Sequence, residues 1–429
     1  MNNTPQGNRP HIAVFGRRNT GKSSLINVLS NQELAVVSDL AGTTTDPVYK
    51  SIELLPFGPV LLIDTAGIDD YGSIGEMRVR KTNEVLRKTD LALLVIDPEI
   101  GIGSYEKKLI EKLESKSINI LLVINKADLF KNFDINESSN FSIRNLEKIK
   151  QHIILNCSEK DKYSKYLKKG IIVSALDKKG IDILKDEIIK NIPVDYEERT
   201  IIGDLINPGD TIVLVTPIDS AAPKGRLILP QVQTIRDIID HDGIAMVTKE
   251  NELEKTLANL REKARMVITD SQAFAKVNSI VPKDIYLTGF SVLFARYKGD
   301  LGIFLKGAKK LENLKRDAKI LIAEACTHRR QQDDIGTVKI PKWLRKKFGA
   351  DLSFEHVSGR EYPANLEEYD LILHCGGCML NRKEVLYRLQ EAEAKGVPVI
   401  NYGMAIASLH GILDRALEPF SEISPEWKK

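Results

Sequence analysis

Two short segments of this chain concentrate soft metal ligands. Ile320-Leu-Ile-Ala-Glu-Ala-Cys326-Thr-His328 and Tyr369-Asp-Leu-Ile-Leu-His374-Cys375-Gly-Gly-Cys378 are each an apolar run that ends in cysteine and histidine, and together they hold three of the four cysteines. The C-x-x-C turn places two sulfurs at one site, and the third must come from the other segment. Thiolates favour iron–sulfur clusters or zinc. Three cysteinates fall one short of the four that usually hold a cubane cluster, which leaves one iron for a weaker or exchangeable ligand. With His328 or His374 as fourth ligand, the same residues would instead close a Cys₃His zinc site. Spacing alone leaves both readings open. Cys157 lies in a different, polar context and reads as a lone thiol packed under a loop.

A second set of residues is suited to phosphate. Gly16-Arg-Arg-Asn19-Thr20-Gly21-Lys22-Ser23-Ser24 follows the apolar run His11-Ile-Ala-Val-Phe15 and precedes a helical pattern, the full G-x-x-x-x-G-K-S phosphate loop in its strand–loop–helix setting. Its glycines let backbone N–H groups face phosphate oxygens, Lys22 reaches the terminal phosphates, and Ser23 can ligate Mg²⁺. Leu61-Leu-Ile-Asp64-Thr-Ala-Gly67 ends a further apolar run in D-x-x-G, where Asp64 would hold magnesium through water and the Gly67 N–H would sense the terminal phosphate. Leu121-Leu-Val-Ile-Asn125-Lys126-Ala-Asp128 ends in N-K-x-D. A carboxylate accepts only, so Asp128 can take the paired N–H donors of guanine, which adenine lacks. Ser174-Ala175-Leu176 completes the set against the base. These residues predict a GTPase domain, with Lys22, Asp64 and Gly67 at the catalytic centre.

Apolar runs bounded by helical patterns are the signature of parallel strands buried on both faces. Ligands in such sheets gather beyond the strands' carboxyl ends, where every motif above lies. The fold class is therefore α/β, with a P-loop GTPase domain over residues 1–200, a small α/β domain over 201–266 and a C-terminal α/β metal-cluster domain over 267–429. Residues 131–170, rich in Asn, Ser and Lys, read as a surface insertion. Met266-Val-Ile-Thr269 is taken as the first strand of the last domain, followed by a mostly helical stretch. The middle unit, about 65 residues by that division, is too small for a comfortable core, so another domain or another copy of the chain is expected to cover it.

Composition narrows the class. With 62 basic and 59 acidic residues the formal charge is +3, which proposes neither a nucleic-acid nor a membrane partner. Four cysteines, three of them clustered with histidine, favour a reducing compartment over a disulfide framework. Residues 1–10 are polar, without the apolar stretch of a signal peptide, and no apolar run approaches the ~18 residues of a membrane span. The expected location is the cytoplasm.

Ser38-Asp-Leu-Ala-Gly42-Thr43-Thr44-Thr45-Asp46 resembles switch I of the TrmE–Era-like bacterial GTPases. By that resemblance Thr44 falls on the magnesium-binding threonine, and Asn19 on an asparagine that helps bind potassium in potassium-activated members. Ile68 stands where Ras-type proteins put a water-orienting glutamine, so intrinsic hydrolysis should be slow. Such a GTPase, followed by a small domain and then C-x-H…H-C-x-x-C, resembles the FeFe-hydrogenase maturation GTPases, the HydF family, over essentially the whole chain. Thr216-Pro-Ile-Asp-Ser-Ala-Ala-Pro-Lys-Gly-Arg226 and Val397-Pro-Val-Ile-Asn-Tyr-Gly403 are part of that resemblance. It implies a 4Fe–4S cluster on Cys326, Cys375 and Cys378, a homodimer through the middle domain, and a scaffold or carrier role for a di-iron precursor. It also implies the FeFe-hydrogenase apoprotein and radical-SAM maturases as partners. Two alternatives share the front half: an RNA-directed GTPase, against which stands the lack of a basic G-x-x-G clamp, and a zinc-stapled regulatory GTPase.

Overall fold

The computed structural model describes residues 5–30, 47–65, 73–129, 163–193, 199–217, 227–325, 334–359 and 362–420. The chain divides into two compact units, Met1–Glu198 and Arg199–Lys429.

In the first unit β1 (His11–Phe15), β2 (Val48–Leu54), β3 (Gly58–Asp64), β4 (Leu91–Ile96), β5 (Asn119–Ile124) and β6 (Ile171–Ile172) form one sheet in the order β2–β3–β1–β4–β5–β6. Only β2 runs antiparallel, against β3. β1 and β4 are buried at every residue, as runs of five and six apolar or tightly held residues must be when helices cover both faces. The helix Lys22–Leu29 packs Leu25 and Ile26 on one face, and the helix Ser104–Ser115 packs Leu109, Ile110 and Leu113 on the other. Of the expected insertion, the helix Ser164–Lys169 is described; Cys157 lies outside the described residues.

The second unit contains two four-stranded sheets, each entirely parallel. One has β7 (Thr211–Val215), β8 (Ile244–Thr248), β9 (Met266–Thr269) and β10 (Tyr286–Gly289) in the order β10–β9–β7–β8. The other has β11 (Lys319–Glu324), β12 (Ser353–Ser358), β13 (Leu371–His374) and β14 (Val399–Asn401) in the order β12–β11–β13–β14. Both follow one plan: the chain goes from the first strand to a neighbour on one side, then crosses to the other. The reversal leaves a crevice at the carboxyl ends of β7 and β9 in one sheet, and of β11 and β13 in the other.

Two expectations are corrected here. Met266–Thr269 is not the opening strand of the last domain; it pairs with β7, Val213 opposite Val267. The stretch after it is not all helix, because Tyr286–Gly289 adds a fourth strand beside β9. The middle sheet thus runs past residue 266, and the domain is larger than the 65 residues anticipated. One hydrophobic core, from Leu214 and Phe274 through Leu293 and Phe304 to Ile320 and Leu373, runs through both sheets. Polar ties cross the same junction. Thr288 Oγ1 donates to the Ala416 carbonyl at 2.8 Å, and the Arg415 guanidinium reaches the carbonyls of Asn278, Val281 and Pro282. At Gly403 any side chain would collide with Ser291.

Candidate functional site

The nucleotide site is built where β1 ends. Gly16 (φ +150°) and Gly21 (φ +84°) occupy backbone conformations that side chains rarely adopt. A Cβ at Gly16 would strike the Val95 carbonyl, and one at Gly21 the Asn125 amide. Lys22 opens the following helix and is buried. Its Nζ donates to the carbonyls of Gly16 (2.8 Å) and Arg17 (2.6 Å), so the ammonium is folded over the mouth of the loop. The Ser23 hydroxyl donates to Asp64 Oδ2 at 2.8 Å, which brings together two residues expected at magnesium. Burial pushes the Asp64 carboxyl above the usual carboxylate range, against the opposing pull of Ser23, Lys22 and Lys50. A Mg²⁺ ion held by these oxygens would keep it ionised.

The residues expected at the base are held from behind. The buried Asn125 side chain donates to the Thr20 carbonyl at 2.9 Å and accepts the Ala175 N–H at 3.0 Å. It therefore ties the phosphate loop to the Ser174-Ala175-Leu176 segment. Ser174 Oγ donates to Asp128 Oδ1 at 2.6 Å and accepts the Asp177 N–H, which fixes the carboxylate by one oxygen. Lys126 takes a left-handed conformation (φ +60°), and its ammonium pairs with Asp97 at 2.9 Å. Leu176 is 79% exposed, as a residue that awaits a planar partner would be. One brace went unread in the sequence: Arg17 makes a two-pronged pair with Glu106, at 2.8 and 2.7 Å, from 89 residues away. Thr44, Gly67 and Ile68 lie outside the described residues.

Asp128→Asn should weaken GTP by about 10²-fold or more, because a donor amide replaces an acceptor opposite two N–H groups and leaves buried polar atoms unpaired. Xanthine nucleotides should gain by the same change. Competition binding of GTP and XTP to both proteins checks this, and an unchanged ranking would remove Asp128 from base recognition.

The cysteine site lies at the crevice of the last sheet. β11 and β13 are direct neighbours, Ala323 opposite His374, so Cys375 leaves β13 beside the end of β11. The Ala325 N–H donates to Cys375 Sγ at 3.2 Å. Ala325 immediately precedes Cys326 in the chain. Cys375 and Cys378 are free thiols, partly exposed. Cys326 and His328, with Arg329 and Arg330, lie outside the described residues; among the described residues no three His, Cys, Asp or Glu side chains converge on one point. The donors present nonetheless fit an iron–sulfur group: two thiols on a C-x-x-C turn, and a third carried by the residue after the one that bonds the first.

His374 does not join them as a free ligand. Its Nδ1 meets the Cys375 carbonyl at 2.6 Å, and its Nε2 accepts from Arg388 Nε at 3.0 Å. Both ring nitrogens are occupied, with the proton on Nδ1. Burial, and then the neighbouring Arg388, hold its pKa down to about 3, so the ring is neutral. His374, expected as a possible metal ligand, has a hydrogen-bonding role in this structure. Two cations that sequence reading passed over also serve the loop. Lys298 Nζ donates to the carbonyls of Cys378 (3.0 Å) and Leu380 (2.9 Å) and approaches that of Gly377 (3.5 Å). Burial pushes its pKa down to about 8. Arg388 also donates to the Gly359 carbonyl at 3.0 Å and lies 4.3 Å from the Tyr362 ring. On the other flank, burial and then Glu324 push the Tyr402 phenol well above its usual range.

Residues 11–126 match a family model described as 50S ribosome-binding GTPase. Residues 201–299 match the hydrogen maturase F dimerization domain, and residues 302–419 the hydrogen maturase F tetramerization domain. These last two together span just over half of the chain. The chain belongs to the hydrogen maturase F family. Among curated proteins, GTPase Der of Wolinella succinogenes is 34% identical over 202 residues, 44% of this chain and 39% of that protein. The tRNA modification GTPase MnmE of Aquifex aeolicus is 33% identical over 189 residues, 44% of this chain and 35% of that protein. This hydrogen maturase F chain spans less than two-fifths of either relative. Among solved structures, Aquifex aeolicus Era with GDP and AlF₄⁻ matches at a TM-score of 0.33 and 18% identity, over 56% of this chain and 93% of that one. The family boundary near residue 300 agrees with the two sheets seen here. The Era-like GTPase resemblance and the α/β class both stand.

Proposed function

We propose that this protein is a GTP-hydrolysing hydrogenase maturation factor that holds a 4Fe–4S cluster on Cys326, Cys375 and Cys378 and serves as scaffold or carrier for a di-iron precursor. The observation that carries the cluster reading is the bond from the Ala325 N–H to Cys375 Sγ, which sets the C-x-x-C turn beside the residue that leads into Cys326. Bound there, the cluster would supply one iron open to exchange. The chain's own residues would hold the loop that carries it. Zinc is the competing occupant, and His374 with both nitrogens engaged speaks against a Cys₃His site that uses it. Anaerobic purification with iron reconstitution, followed by visible and EPR spectra, tests the reading. A brown, reducible protein supports it, and a colourless zinc protein overturns it.

In the GTPase unit, Lys22 and the loop N–H groups would hold the β- and γ-phosphates. Ser23 and Thr44, with Asp64 through water, would hold Mg²⁺, which would supply positive charge against the phosphates, and Gly67 would report the terminal phosphate. Hydrolysis should be slow and faster in potassium than in sodium. Asn19, at φ +61°, holds its backbone in the loop where the family resemblance sets a cation ligand. Turnover measured in matched potassium and sodium salts checks this; equal rates would end the potassium assignment.

The dimerization domain supports association between copies of this chain. Within it β8 is an edge strand with Ile244 52% and Val247 45% exposed, and Val232 and Ile239 are exposed on the helix Leu229–Asp240. An apolar edge of this kind invites pairing. Ile244→Lys with Val247→Lys should convert a dimer to monomer in sedimentation at micromolar concentration. A dimer that persists would move the interface elsewhere. Among the described residues no helix is long and apolar enough to cross a membrane. A cytoplasmic site of action, the hydrogenase apoprotein and radical-SAM maturases complete the proposal.

A further inference from the structure

The loop 375–380 is gripped from two sides by cations that are almost wholly withdrawn from solvent. Lys298 is 2% exposed and Arg388 is 1% exposed. Lys298 ends the helix Phe290–Lys298, within the dimerization domain, and reaches across to three carbonyls of the Cys loop. Arg388, on the helix Arg382–Ala394, acts through His374, whose Nδ1–H holds the Cys375 carbonyl. All these partners are neutral. Among the described residues neither cation has a carboxylate within ion-pair distance, and Arg388 Nη2 is buried with no hydrogen-bond partner. A buried charge normally persists only when a counter-charge and hydrogen bonds offset its lost hydration. Carbonyl dipoles supply part of that offset here and leave two positive charges bound, Lys298 directly and Arg388 through His374, to the loop that carries two thiols.

We propose that Lys298 and Arg388 are the counter-charge for an anionic cluster on the Cys375–Cys378 turn: they hold the loop in its ligating shape and favour the reduced cluster. This rests on the cluster reading above. The charges fit. Three thiolates on a 4Fe–4S core with two positive charges leave a net charge of −1, which becomes −2 on one-electron reduction. A fixed positive charge in a low-dielectric surround therefore stabilises the reduced form more than the oxidised one. Lys298 reaches the loop through its carbonyls and Arg388 through His374, so both are positioning residues. Lys298 also makes the cluster site dependent on the neighbouring domain, since the helix that delivers it belongs to the middle sheet's half of the unit.

The test uses the full-length, anaerobically reconstituted protein and four variants: Lys298→Met, Lys298→Arg, Arg388→Met and Arg388→Lys. Iron content, the rate of iron loss to a chelator, and the midpoint potential from EPR-monitored redox titration are measured for each. Each Met variant should favour reduction about tenfold less, about 59 mV lower for a one-electron couple, and should lose iron faster. The charge-preserving variants should recover most of both. If a Met variant holds no cluster at all while its charge-preserving counterpart does, the proposal stands. If both members of a pair lose the cluster alike, shape rather than charge governs the loop and the proposal falls. It falls also if the Met variants keep iron at an unshifted potential. A wild-type protein that takes up no iron would overturn the cluster reading itself, which separates that failure from this one.

Discussion

Replacement of Cys375 or Cys378 by serine is expected to give a colourless protein that still binds GTP. A serine hydroxyl is a hard, protonated donor at neutral pH, whereas iron in a sulfide core takes thiolate. On the proposed cluster reading the C-x-x-C turn would supply two of three strong ligands, so loss of either should reduce iron from about four per chain to well under one. Cys326→Ser should match them, because Ala325, its neighbour in the chain, already bonds Cys375 Sγ. Cys157→Ser should change nothing. His374→Ala should keep iron but loosen the turn, since it removes the hydrogen bond to the Cys375 carbonyl and leaves Arg388 Nε unpaired. GTP affinity should be unaffected throughout, because the nucleotide site lies in the other compact unit. Iron assays, EPR and nucleotide binding on the five variants decide the matter. A cluster that survives Cys375→Ser, or disappears with Cys157→Ser, would assign the ligands differently.

Asn125→Ala is expected to have the largest effect in the GTPase unit, although Asn125 is aimed at protein rather than base. Its amide is the link between the phosphate loop and the base-binding segment. Removal leaves the Thr20 carbonyl and the Ala175 N–H buried and unpaired, each at a cost of about 1–3 kcal/mol. At about 1.4 kcal/mol per tenfold, GTP binding should fall by 10²-fold or more. Thermal stability of the nucleotide-free protein should fall as well. Fluorescent-nucleotide titration and calorimetry test both readings. Unchanged affinity with lowered stability would restrict Asn125 to folding alone.

The nucleotide site was legible because its chemistry is local. Gly16, Gly21, Lys22 and Ser23 lie within eight residues, and the strand before them is apolar throughout. The pairing of β11 with β13 was also legible, because both strands are apolar runs that end in cysteine. Sheet membership was harder. Met266–Thr269 is a four-residue apolar strand that could open one sheet or extend another, and nothing in its composition says which. β12 escaped because it is an edge strand whose residues alternate between exposed and half-buried. β10, only four residues long and followed at once by a helix, merged into a helical reading. Lys298 and Arg388 were invisible for a different reason. Their partners are mostly backbone carbonyls, which every residue has, and Lys298 finds its own about 80 residues away. A lysine or arginine at a helical position reads as a solvated face until the fold shows what it touches.

The junction between the two sheets of the second unit has a mechanical consequence. A linker would let the cysteine-bearing end swing independently, as tethered carriers do. Here the core is continuous, Gly403 leaves no room beside Ser291, and Arg415 reaches three carbonyls across the seam. The half that carries the cysteines and the half that matches the dimerization domain are therefore joined as one solid piece. In an assembly of such chains the separation of the cysteine sites would be set by geometry, like teeth on a shared axle. On the carrier reading proposed above, a client would have to come to the cargo.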